Sequence, residues 1–198
     1  MSRVDSIEMS RLPAAPWPTS LKATSAAATA LLAGASLLLI RAIPRGAHVP
    51  FAEAFGRLMV FVPPLIALIA LLCVVSGYEV GPTELRVRRL LWKTRVPLDG
   101  ISRAWHDPEA MKRSLRVFGN GGLYSVTGVY QNRLLGRYRA FVTDPRRSVI
   151  LGLPDRIVVV SPADPGALLE QLAAFHPSLR SPAAGRADLS GEPRGRFS

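Results

Sequence analysis

Arg86, Arg88, Arg89, Lys93 and Arg95 place five cations within ten residues, shortly after an apolar block. Guanidinium and ammonium groups at a bilayer surface attract phosphate headgroups, and each contributes about 1 kcal/mol there. Anionic lipid, or an acidic protein surface beside it, is the ligand such a cluster takes. The same charges have a second use, because lysine and arginine near the ends of membrane spans hold those ends in the cytoplasm. On strands they also simply solvate an outer face. The residues by themselves leave both roles open.

Nothing else in the chain specifies a reaction. It has no GxSxG elbow, no HExxH pair and no Walker loop, so no catalytic residue is expected and the chain reads as non-enzymatic. His48, His106 and His176 are too scattered to share a helix face. Cys73 is the sole cysteine, which rules out an intramolecular disulfide and a cysteine-type metal site. Neither a metal nor an organic cofactor is expected. The run Gly119-Asn120-Gly121-Gly122 resembles a phosphate loop, but it opens no helix, so it is expected to be a turn. Asp99, Asp107, Glu109, Asp144 and Asp155 stand beside glycine or proline or at turns, where capping is their expected work.

The formal charge of +11 suits nucleic acid or an anionic membrane. No dense basic run with interleaved aromatics is present, which argues against nucleic acid. Two uncharged blocks, at 23–40 and 58–75, argue for the membrane. Eighteen residues of helix cover about 27 Å, close to the thickness of a hydrocarbon core. A transmembrane hairpin is therefore expected over 23–80, with spans at 23–42 and 58–80. Pro63-Pro64 must either kink the second helix or start it. In the latter case the span runs through Ser76 and Gly77 to Tyr78, which then joins the interfacial aromatic belt.

Ala26, Ala30 and Gly34 recur every fourth residue and make one face of the first span small enough for a neighbouring helix. Such spacing also arises by chance in alanine-rich spans. Arg11, Lys22, Arg86, Arg88, Arg89, Lys93 and Arg95 flank one side of the hairpin against Arg41, Arg45 and Arg57 on the other. This imbalance puts both termini in the cytoplasm. Residues 1–22 and 178–198 are rich in proline or arginine and poor in apolar side chains, and are expected to be a disordered leader and tail.

Residues 81–177 read as a β domain built of consecutive antiparallel strands. Leu85 and Val87 alternate with Arg86 and Arg88, Trp92-Lys93 turns the chain, and Thr94-Arg95-Val96 returns it. Further strands are expected at 101–105, 136–143, 148–153 and 157–160, with one helical turn at 107–112. In the second of these Tyr138, Ala140 and Val142 share one face, and Arg137, Arg139 and Phe141 the other. Asp164 and Pro165 begin a final helix as cap and first residue, and Leu168, Leu169, Leu172 and Phe175 supply its docking stripe.

Arg116, Gly119-Asn120-Gly121-Gly122-Leu123-Tyr124, Gly128, Leu135-Gly136, Tyr138, Ala140, Thr143-Asp144 and Val159-Val160-Ser161-Pro162 occur in that order. In this pattern the chain, over residues 78–176, resembles bacterial pleckstrin-homology (PH-like) domain proteins with N-terminal membrane helices. The resemblance implies about seven strands in two orthogonal layers, closed by the C-terminal helix. It brings no catalytic residues. Together these readings imply a membrane-anchored interaction module at the cytoplasmic face of the bacterial inner membrane, binding protein or anionic lipid. The alternatives are an accessory subunit that meets a membrane protein through the first helix, and an uncharacterised membrane enzyme.

Overall fold

The computed structural model describes residues 9–42 and 50–180. Two helical stretches, Thr19–Ala42 and Ala54–Leu72, are long and apolar enough to cross a membrane. The first is a single helix, α1 (Thr19–Ala42); the second stretch joins α2 (Pro50–Met59) to α3 (Val62–Leu72). The helix breaks at Val60-Phe61, and Pro63 and Pro64 fall in the first turn of α3. Missing backbone donors matter little there, since the first N–H groups of a helix have no partner within it. The proline pair thus starts a helix.

That helix stops at Leu72, short of the expected end of the second span. Residues 75–80 instead form strand β2 (Val75–Val80), and Tyr78 is fully buried in the domain core, away from any interfacial belt. A second departure lies in the leader. Strand β1 (Ser10–Pro13) pairs antiparallel with β2, Arg11 opposite Glu79 and Leu12 opposite Tyr78. Ala15 is buried, its N–H donating to the Ser161 carbonyl at 2.9 Å. Disorder fails from residue 10 onward because β2 and the end of the last strand complete this segment's hydrogen bonds. Residues 1–8 and 181–198, and with them most of the expected tail, lie outside the described residues. Residues 177–180 form a short 3₁₀ turn, with Leu179 against the core.

The domain has two sheets. One has the order β1-β2-β3-β4, with β3 (Glu84–Arg89) and β4 (Lys93–Pro97) forming the expected hairpin, although its turn lies at 90–92 and Lys93 already belongs to the returning strand. The other is ordered β5-β9-β10-β8-β7-β6 and comprises β5 (Arg103–His106), β6 (Leu115–Gly121), β7 (Val126–Asn132), β8 (Gly136–Val142), β9 (Val149–Gly152) and β10 (Ile157–Val160). These strands outnumber the seven of the resemblance. One pair also departs from the expected antiparallel order, since β10 lies parallel to β8, with Val159 beside Ala140. β9 leaves a gap next to β8, and β10 fills it on the way back. The run Ile157-Val158-Val159-Val160 suits that central place, because a strand covered on both faces needs apolar side chains at successive positions.

The β6–β7 turn occupies 122–125, three residues later than expected, and Gly119 belongs to β6. Gly119 faces Gly128 across the ladder, both at positive φ, and a Cβ on either would run into the partner strand's backbone. Asn120 then fixes the turn, its Oδ1 accepting from the N–H groups of Gly122 (3.3 Å) and Leu123 (3.0 Å). Residues 107–112 form turns without a helix, and Asp107 accepts from the Glu109 N–H at 2.8 Å.

The main core lies between the sheets, where Tyr78, Leu85, Val87, Phe141 and Val158 meet Leu168 and Leu172 of α4 (Pro165–Phe175). Asp164 caps α4 as expected, accepting from Gly166 and Ala167, a contribution of about 1 kcal/mol. A second cluster, including Ala110, Tyr130, Tyr138, Ile150 and Val159, forms on the other face of the larger sheet, with Trp105 and Met111 against it. Phe141, grouped in the sequence with Arg137 and Arg139, points into the main core while those arginines remain exposed.

Candidate functional site

Register brings the cations together. Arg11, Glu79, Arg86 and Arg95 lie in one row across β1, β2, β3 and β4, and Arg88 faces Lys93 in the next row. Successive strand residues point to opposite faces, so Leu85, Val87 and Val96 enter the core while these charged residues share the outer face. Five cations there (Arg11, Arg86, Arg88, Lys93, Arg95) meet two carboxylates, Glu79 and Glu84, which leaves the face positive.

Glu79 organises the group. Its side chain is only 5% exposed and lies under Lys93, whose Nζ reaches both carboxylate oxygens at 3.0 and 2.9 Å. Arg88 Nε stands 3.7 Å and Arg11 Nε 3.9 Å from the same carboxylate. Desolvation pushes the Glu79 carboxyl up, but the Lys93 hydrogen bond and the charges of Lys93, Arg88 and Arg11 together outweigh it and hold it below its ordinary value. The carboxylate therefore stays ionised and fixes cations that would otherwise repel one another. Arg86 pairs with Glu84, and Arg95 is exposed on the edge strand. Arg11, Glu79, Arg86 and Lys93, with Met9 and Ser10, line an open polar depression.

Arg89 does not join them. It is in phase with Leu85 and Val87, so its side chain turns inward, 5.5 Å from the Phe141 ring and 5.8 Å from Trp92. The guanidinium donates to Thr94 Oγ1 at 3.2 Å and to the Cys73 carbonyl just past the end of α3. Carbonyls at a helix C-terminus lack partners within the helix and carry partial negative charge, which a cation satisfies. Burial pulls the guanidinium down from its ordinary pKa. Ser125 Oγ approaches the same carbonyl at 3.5 Å, so both sheets hold the end of α3. Arg89 is therefore a joint between domain and helix, because strand phase places it on the buried face.

A second joint binds α1. Ser25 Oγ accepts from the Tyr124 N–H at 2.9 Å, and Thr29 Oγ1 and the Tyr124 hydroxyl share a hydrogen bond of 2.8 Å. Trp17 leans on the same ring, centroids 6.0 Å apart. The small-residue stripe is left open: Ala26 and Ala30 are exposed, and a Cβ at Gly34 would meet nothing within 4 Å.

Sequence reasoning missed Glu79 and Arg11. Glu79 had a readable signal, an acid between two core-facing residues of a strand beside an arginine-rich one. Arg11 had none, since only its pairing with β2 places it. Among the described residues no group of three or more His, Cys, Asp or Glu is placed to hold a metal ion. His106 Nε2 lies 3.2 Å from the Arg146 carbonyl, and His176 ends α4 with its N–H on Leu172. His48 lies outside the described residues.

The sequence model of one family, described as the bacterial PH domain, matches residues 76–174, half of the chain. No curated protein and no solved structure matches.

Proposed function

The chain belongs to the bacterial PH domain family, and on that premise we propose that it is a non-enzymatic, membrane-anchored interaction module whose basic sheet face docks anionic lipid headgroups. α1 and the α2–α3 stretch cross the inner membrane, and both termini lie in the cytoplasm. The observation that carries this reading is the cationic outer face of β1–β4, ordered around Glu79 and held near the end of α3. Arg88 and Lys93 stand in register with Gly77, two residues after Val75, or about 7 Å along the strand. With α3 ending at the bilayer surface, these two cations reach the headgroups, while Arg86 and Arg95 lie one row further out.

Spin-labelled lipids test it on the full chain in mixed bilayers. Phosphatidylglycerol is expected to be enriched at the protein over phosphatidylcholine. The enrichment should shrink with added salt, which screens exposed charges over about 10 Å at 0.1 M. Arg88→Ala/Arg95→Ala should reduce it at low salt. Equal association of both lipids with the unaltered protein would remove the lipid reading and leave an acidic protein as the partner.

A further inference from the structure

We propose that the β3–β4 turn, Leu90-Leu91-Trp92, is a finger seated in the bilayer interface beside α3. These residues carry three large apolar side chains on a hairpin tip, exposed by 60%, 72% and 44%. A turn in water favours glycine, asparagine and proline, so an apolar tip needs an apolar neighbour. The geometry names that neighbour. Val75, three residues after the end of α3, lies opposite Arg89, and the Arg89 N–H closes the turn on the Trp92 carbonyl at 2.9 Å. The Arg89 side chain binds the Cys73 carbonyl, so the tip is fixed at the level where α3 ends.

Two further observations favour lipid over a protein surface. Leu68, Ile69 and Leu71 near the same end of α3 are exposed, so the tip continues an apolar surface already addressed to the bilayer. Arg88 and Lys93 flank the tip on the exposed face, where headgroup phosphates lie next to the acyl boundary. Tryptophan is also the side chain most at home at that boundary. The finger would fix the tilt of the domain and hold its basic face against the headgroups.

The inference rests on α1 and the α2–α3 stretch spanning the membrane, so its test must report on both the span and the tip. The full chain carries three tryptophans, and Trp17→Phe/Trp105→Phe leaves Trp92 alone. In bilayers of lipid brominated near the headgroup end of the acyl chain, Trp92 should lose most of its emission and resist aqueous iodide. A companion variant that also carries Trp92→Phe, with Ile66→Trp on the exposed side of α3, reports the span itself. Quenching at 66 without quenching at 92 overturns the finger and leaves the span; quenching at neither site overturns both. Protection of Trp92 from iodide without quenching by brominated lipid means that protein covers the tip, which also overturns the proposal. A nitroxide at Leu91→Cys in the Cys73→Ser chain keeps all three tryptophans. It should collide more with oxygen than with a water-soluble nickel complex, and the reverse order overturns the finger even if the tryptophan variants fail to fold.

Discussion

The outward faces of the two sheets are built in opposite ways. On the larger sheet Trp105, Tyr138, Ala140, Ile150 and Val159 share a face that Ala110 and Met111 cover, so that face is a second core. On the smaller sheet the corresponding face carries Arg11, Arg86, Arg88, Lys93 and Arg95 around one sunken carboxylate. One sheet therefore packs apolar side chains on both sides, and the other packs them on the inside only and carries a charged surface outside. Stability and docking should separate by mutation accordingly.

The largest effect is expected in the roofed face. Tyr138→Ala removes a ring stacked 6.1 Å from Tyr130 and a hydrogen bond to Ser114, and should cost about 3–5 kcal/mol in denaturant unfolding. Any loss of lipid enrichment should then follow the unfolded fraction.

Next comes the seam between the sheets. The Tyr78 hydroxyl donates to the Phe141 carbonyl at 2.6 Å and accepts from the Ser161 N–H at 3.0 Å. Tyr78→Phe removes this partner from both backbone groups inside the core and should cost about 1–3 kcal/mol. Burial pushes the Tyr78 phenol up from 10.0 to about 12, so its contribution is complete below pH 10.0 and is lost as pH rises through about 12. Thermal melts should show that alkaline loss in the native chain and not in Tyr78→Phe.

Smaller in stability and opposite in function is Glu79→Gln. The Lys93 bond loses its charge and three cations lose their counter-ion, at a cost of about 1–2 kcal/mol. Because the face gains one net positive charge, enrichment of anionic lipid should rise. Glu79 is depressed in the fold, so its contribution is present above its unfolded value and fades as pH falls through its folded one. Acid titration of the glutamine variant should lack that component.

Much of this was readable beforehand, for physical reasons that can be named. The hairpin from Glu84 to Pro97 and the helix behind Asp164-Pro165 follow from local alternation and capping, which neighbours in sequence supply. Thr143 and Ser161 stand out in the family pattern, but their task does not: Thr143 Oγ1 binds the Ala15 carbonyl and Ser161 Oγ takes the Thr143 N–H, both at 2.8 Å. Strand β1 was hidden because a four-residue segment ending in proline has no stability until distant strands receive it. Arg89 was misplaced for a different reason. Counting it with its charged neighbours ignored the alternation with Leu85 and Val87 that sends it inward.

The most direct measurement of the contrast between the two faces is photocrosslinking of the full chain in bilayers containing a phosphatidylglycerol with a reactive group on its headgroup, followed by peptide mapping. Adducts should concentrate on residues 86–95 and be sparse on the roofed face around Met111 and Tyr130. Adducts spread evenly over both faces, or confined to the helices, would contradict the assignment of the basic face to the membrane.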